Sequence, residues 1–306
     1  MKPHEGRKRR WGDRYDGFKV RNLDPMGLVI PYIMPQKVDS WVLFEAKIEI
    51  SKAEEFIKKM RKEEIPSLTL YHVVFAALAR AMVEVPEMNR FVKNCKIYSR
   101  NHIKGAMVVM KGMKRDSERT TITPEFECDD TLVDVVERID KITGGIDKTV
   151  KVREDENKSD FDVLEVVLSL MPSFVLKNFI RFMHWLDGHG WMPKIINRLS
   201  PFHSSFFITN MGSIGLDAVY HHIYEFGTLS LFTSIGKKEV CYEVDSKGIA
   251  HRKVYMKMQT VVDERATDGY IYTIGFKTLK RYISNPELLM TPPEKITFDI
   301  IDKVKK

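Results

Sequence analysis

Residues 70–85, LYHVVFAALARAMVEV, impose the strongest constraint on this chain. The spacing predicts a helix that is apolar almost all round, and such a helix has to be deeply buried. Pro86 stops it, because proline cannot continue the backbone ladder. Ahead of it, residues 42–50 (VLFEAKIEI) place Val42, Phe44, Ala46, Ile48 and Ile50 at period two. That alternation predicts a half-buried strand. Ser51-Lys52-Ala53-Glu54 then matches a capping box, with Ser51 accepting from an early helix amide and Glu54 reaching back to the Ser51 amide. A helix of about twelve residues is expected from there, ending before Pro66.

The alternation of strand and helix continues. A strand, a turn near Asn101 and a second strand (IKGAMVVMKGM) fill 96–113, and 119–128 reads as another strand. Thr131 to Ile142 fits a helix with Leu132, Val135, Val136 and Ile139 inward. Residues 143–162 combine glycines with dense charge and form the best loop or hinge candidate. Segments 204–211 (SSFFITNM) and 227–235 (GTLSLFTSI) suit buried strands. Residues 237–248 suit a hairpin turning near Asp245-Ser246-Lys247-Gly248, with a long strand over 251–262. A last helix runs from about Gly269 to Ile283. Interleaved strands and helices give an α/β class with a mixed sheet.

A length of 306 residues suits two average domains or one large one. Cys95, Cys128 and Cys241 form no C-x-x-C pair, which excludes a zinc ribbon or thiol-redox motif and leaves three buried thiols as the plain reading. The net charge is +7, and five basic residues against Glu5 in positions 1–10 account for +4 of it. Those ten residues read as a solvated basic arm, and the remainder is too weakly basic to argue for nucleic acid. No apolar stretch follows the basic start, so a signal peptide is not expected and the default compartment is cytoplasmic. Residues 163–186 are the most apolar window, yet they contain Glu165, Pro172, Lys177 and Arg181. A membrane span is improbable there, and membrane association is not expected; an interfacial amphipathic helix is the alternative to a buried helix pair broken at Pro172. No phosphate-cradling glycine loop, dinucleotide fingerprint or hydrolase elbow occurs.

Four segments resemble the catalytic domain of the 2-oxoacid dehydrogenase complex acyltransferases, a family related in fold to chloramphenicol acetyltransferase. Asp263-Glu264-Arg265-Ala266-Thr267-Asp268-Gly269 matches the family's D-H-R-x-x-D-G except that Glu264 replaces the histidine. Phe206 to Gly215 looks like its F-T-x-[ST]-N-x-G-x-x-G strand and turn. Ala79 to Asn89 looks like its helix ending in V-P-x-x-N, and Lys280 to Met290 like its closing N-P-x-x-L-L. The matches run in the family's order over about residues 40–290. Family members of the complexes carry lipoyl and subunit-binding domains upstream, for which there is no room here, so the resemblance implies a stand-alone form. Asp24 to Pro31 stands where those members carry a basic segment. The expected architecture is a chloramphenicol acetyltransferase-like two-layer sandwich over 41–306, with a helical insertion at about 145–200, preceded by a basic arm and extended segment over 1–40.

The resemblance implies a CoA-dependent acyltransferase, homotrimeric, moving an acyl group between the thiol of coenzyme A and a small-molecule acceptor. No metal is implied. Such chemistry needs a base, an oxyanion donor and a rigid frame. Thr209 takes the hydroxyl position of the second motif and is the oxyanion candidate. Asp268 fits the structural aspartate that would pair with a cation, with Arg265 a candidate partner. Glu264 would serve as base if burial raised its proton affinity. Otherwise another group serves, His222 within Tyr220-His221-His222 and Glu225, or His203. A third alternative is that the site binds without turnover, as a ligand-binding or assembly protein that kept the fold and lost the base. His72, in the apolar helix, reads as a satisfied core histidine.

Overall fold

In the computed structural model, which describes residues 1–110, 119–143 and 169–302, the apolar segment is a helix over Leu70–Glu84. Every residue from His72 to Val83 in it is buried. Thr69 caps it: its hydroxyl accepts from the His72 amide at 3.4 Å, and His72 Nδ1 accepts from the Thr69 amide at 3.2 Å. The core histidine is thereby satisfied.

In chain order the described elements are β1 (Gly17–Lys19), α1 (Pro25–Ile33), β2 (Trp41–Glu49), α2 (Ser51–Glu63), α3 (Leu70–Glu84), β3 (Arg90–Lys93), β4 (Lys96–Arg100) and β5 (Ile103–Met110). Then come β6 (Arg119–Ile122), β7 (Glu125–Phe126), α4 (Leu132–Thr143), α5 (Ser173–His189), α6 (Lys194–Leu199), β8 (Phe206–Asn210), β9 (Leu231–Val244), β10 (Ala250–Asp263) and α7 (Gly269–Ser284). The main sheet has the order β2-β10-β9-β8-β5-β6, with β7 also on β5, and a separate small sheet is β1-β4-β3. β8 runs parallel to both β5 and β9, and the other pairs are antiparallel, so the sheet is mixed as expected.

Alternation along β8 separates the two sides of that sheet. Phe206 and Ile208 join the main core with α2, α3, α4 and α7, whereas Phe207 packs with Phe232, Ile223, Leu229 and Val261 on the opposite face. Gly105 in β5 marks the closest approach: a Cβ there would collide with the Phe75 and Phe206 rings.

Several local expectations change. Ser51 is the first residue of α2 and not its cap; its Oγ instead accepts from the Val254 amide at 2.9 Å. The hydroxyl thus extends the β2–β10 ladder beyond Ile50, and Glu54 pairs with Lys238 at 2.7 Å. The predicted strand at 119–128 is two short strands, interrupted at Pro124. The 24–34 segment is not extended: Asp24 accepts from the Gly27 amide at 2.8 Å and starts α1. The basic arm is docked and not freely solvated, with Lys2 on Glu125 at 2.6 Å and both Arg7 and Arg10 on Asp302. Of the three free thiols only Cys128 is buried. The hairpin is longer than expected, and its turn is held by Asp245 Oδ1, which accepts from the Lys247 and Ile249 amides at 2.8 and 3.0 Å. Residues 111–113, 144–162 and 163–168 of the segments discussed above lie outside the described residues. Among the described residues no helix is long and apolar enough to cross a membrane.

Candidate active site

The Glu264 turn is built on a buried ion pair. β10 ends at Asp263, whose carboxylate is fully buried. Its Oδ1 accepts from Ser40 Oγ at 2.9 Å and from Arg265 Nε at 2.8 Å, and its Oδ2 accepts from Arg265 Nη2 at 2.8 Å. Arg265 Nη1 donates onward to the carbonyls of Met34 and Pro35 at 3.0 and 2.9 Å. Burial pulls the guanidinium's proton affinity down, but Asp263 more than offsets this and holds it above its ordinary value. The partner of Arg265 is therefore Asp263 and not Asp268. The bidentate fork closes over two residues, while the carboxylate three positions on turns to the Ile271 amide.

That lock sets the residue between its partners. The Glu264 amide donates to Ser40 O at 3.0 Å while its side chain is exposed. Ala266 and Thr267 turn inward. Asp268 is exposed and caps α7, its Oδ1 accepting from the Ile271 amide at 2.9 Å. The desolvation that a carboxylate base needs is not supplied by Glu264's own chain.

Lys37 ties a second loop to this turn. It is 2% exposed, and its Nζ donates to the carbonyls of Tyr224 and Gly227 at 2.8 and 3.1 Å. Burial pushes its pKa down to about 7 against the opposing pull of Asp263. The Lys37 amide donates to Glu225 Oε2 at 2.8 Å. Glu225 is thus turned toward Lys37, away from the proton-transfer role considered with the histidine pair. His221 stacks on Phe232 at 4.1 Å, and His222 is exposed with its ring edge-on to Tyr224 at 4.8 Å.

Thr209 sits near the end of β8 opposite Ser234, half-buried, and among the described residues its hydroxyl reaches only the Met211 sulfur at 4.0 Å. Asn210 and Gly212 shape the turn that follows: Asn210 Oδ1 accepts from the Ser213 amide at 3.1 Å, and a Cβ on Gly212 would abut the Gly236 carbonyl. Thr209 lies level with Ser234, which faces Gln259 on β10. Glu264 is two strands across and five residues along, so about 19 Å separates the two Cα atoms at ~4.8 Å per strand and ~3.3 Å per residue. One chain does not bring them together.

His203 belongs to a sealed network that the sequence did not reveal. Its ring is fully buried, with Nδ1 2.8 Å from Ser200 Oγ and Nε2 3.4 Å from Asp187 Oδ2. Asp187, on α5, also binds Arg14 Nη2 at 2.8 Å and Lys93 Nζ at 2.7 Å, and Arg14 Nε binds Asp16 at 2.8 Å. Burial alone would raise the Asp187 carboxyl; His203, Lys93 and Arg14 overcome that and hold it far below the carboxylate range. Burial also lowers the proton affinity of His203, with Asp187 opposing. A base this enclosed has no path to a substrate. A lone acid in an otherwise basic, apolar helix was the available hint to Asp187.

Among the described residues no cluster of three potential metal ligands occurs. A cavity of about 210 Å³ opens between β2, β10 and α7, lined by Phe44, Ala46, Ile48, Met258 and Phe276. Glu264, Thr209, Asp268 and His222 do not border it.

No family model matches the sequence, and no curated protein matches it. Solved structures do match the fold. A probable dihydrolipoamide acetyltransferase from Listeria monocytogenes 4b F2365 aligns at 12% identity over 87% of this chain and 94% of its own, with a TM-score of 0.52. The dihydrolipoamide acetyltransferase of Azotobacter vinelandii aligns at 12% identity over 91% and 95%, TM-score 0.49. A chloramphenicol acetyltransferase aligns at 12% over 80% and 88%, TM-score 0.47. The chain has the chloramphenicol acetyltransferase-like α/β fold with a mixed sheet.

Proposed function

We propose that the protein is a CoA-dependent acyltransferase, working as a homotrimer, that moves an acyl group between the CoA thiol and a small-molecule acceptor. The observation that carries this reading is the Asp263–Arg265 lock, a buried bidentate ion pair that fixes the backbone on either side of one exposed residue, Glu264. A carboxylate carried on a fixed strand end is a starting point for a positioned base. In this reading Glu264 takes the proton from the attacking hydroxyl or thiol. The nucleophile adds to the thioester carbonyl, Thr209 donates a hydrogen bond to the oxyanion, the oxyanion collapses to break the C–S bond, and the departing CoA thiolate takes the proton held by Glu264. The separation of Thr209 from Glu264 within one chain requires a second copy to complete the site and to desolvate Glu264. Asp268 holds the loop by capping α7, and His222 is the substitute base.

The test is thiol release from acetyl-CoA over a panel of amine, hydroxyl and thiol acceptors. Release is expected, and Thr209→Ala should lower it by about 10²–10³, the cost of one lost oxyanion donor. No release over the panel, with no detectable CoA binding, overturns the proposal.

The exposure of Glu264 favours a second reading, a catalytically impaired protein of this fold that acts in ligand binding or assembly. Glu264→His should then create turnover that the native protein lacks. Efficient turnover by the native protein sinks that alternative.

A further inference from the structure

Helix α5 has one anchored face and one open face. Met183 and Asp187 are buried, and Asp187 is clamped by Arg14, Lys93 and His203. This lock fixes which side of the helix points away from the protein. The outward side carries Phe174, Phe182 and Trp185, which are 71%, 52% and 49% exposed. Trp185 meets Trp191 edge-on at 5.6 Å, and Trp191 is itself 63% exposed. Lys177 and Arg181 lie among these rings, and Lys194 and Arg198 follow on α6; all four are exposed. Asp187 is the sole acid between residues 173 and 199, and it is buried.

We propose that this face docks the protein on an anionic lipid surface. Aromatic rings settle at the boundary between headgroups and acyl chains, and lysine and arginine beside them are drawn to negative headgroups. A face holding exposed aromatics and cations with no exposed acid has that composition. The same face is a poor match for itself. Two copies meeting across a two-fold axis would bring Lys177 and Arg181 toward their equivalents, a like-charge arrangement. Docking differs from the membrane span that the sequence argues against, because α5 lies on the surface and no charge enters hydrocarbon. The inference does not depend on acyl transfer, since binding is read without substrate.

The experiment is flotation of the full-length protein with vesicles of phosphatidylcholine, alone or mixed with phosphatidylglycerol. The protein should float with the mixed vesicles and stay down with the neutral ones. The combined Phe174→Ser, Phe182→Ser, Trp185→Ser variant should lower the bound fraction about tenfold or more. Lys177→Glu with Arg181→Glu should abolish the preference for anionic lipid while leaving the apolar side chains in place. Absence of flotation overturns the proposal, as does flotation unchanged by the serine variant. Sedimentation of the same proteins covers the competing occupant. If the serine variant is a smaller oligomer and the native protein does not float, a second copy covers this face and the lipid proposal fails.

Discussion

Lys93 Nζ lies 2.7 Å from Asp187 Oδ2 in a site where both side chains are buried. The contact joins the small sheet to helix α5 and fixes the orientation of that helix. Arg14 reaches the same carboxylate from the N-terminal segment.

Removing the charge from this carboxylate leaves Lys93 buried without its ion-pair partner. Asp187→Asn should destabilise the fold by about 3–5 kcal/mol, the usual cost of breaking one side of a buried pair. Urea unfolding followed by circular dichroism measures it. A loss under about 1 kcal/mol would mean that α5 is held chiefly by its apolar contacts.

The same network predicts acid sensitivity. Burial raises the Asp16 carboxyl, but Arg14 more than offsets this, and both Asp16 and Asp187 are held below the ordinary carboxylate value. Below about pH 4 the unfolded chain takes up protons at these positions that the folded chain does not, so folding stability falls with pH. The contribution is complete above the unfolded value and is lost progressively beneath it. Thermal melts from pH 7 down to pH 3 should show the midpoint falling most steeply at the acid end, and Asp187→Asn should flatten that slope. A slope unchanged by the variant would assign the acid sensitivity to other carboxylates.

Arg265→Lys tests the frame around Glu264. Lysine keeps the charge but cannot make the forked contact with Asp263 or reach the Met34 and Pro35 carbonyls in parallel. If Glu264 acts as the base, kcat for thiol release should fall about tenfold or more with KM little changed, because a positioning group acts on the chemical step. Equal loss in Glu264→Gln and in Glu264→Gln with Arg265→Lys would confirm that the arginine works through the glutamate. Independent losses that multiply would not fit the lock.

Much of the fold was legible because its signals are local. Val42, Phe44, Ala46 and Ile48 alternate within one strand, and the run from Val73 to Val83 is apolar but for Arg80, so β2 follows from its alternation and α3 from the length of its apolar run. Ser51 misled for the opposite reason. Its sequence neighbours fit a capping box, yet a partner 203 positions away, the Val254 amide, takes the hydroxyl. Arg265 shows the same limit at short range: a motif places two aspartates near it, and only geometry selects Asp263 over Asp268. The network of Arg14, Lys93, Asp187 and His203 had no sequence pattern at all, since its members come from four separate stretches of chain. Glu264 and Thr209 were visible as motif positions, but the distance between them depends on strand register.

The Arg14–Asp187 pairing spans 173 positions, which bears on how the chain is made. At the usual pace of synthesis, about 5–20 residues per second, Arg14 leaves the ribosome roughly 9–35 s before its carboxylate does. Until then Arg14 has only its neighbour Asp16, and Lys93 lacks the carboxylate it meets in the folded chain. Closure of this charge cluster is therefore a late, high-contact-order event in folding. A ribosome paused before residue 187 would present an N-terminal segment in which Arg14 holds Asp16 alone and Lys93 awaits its partner.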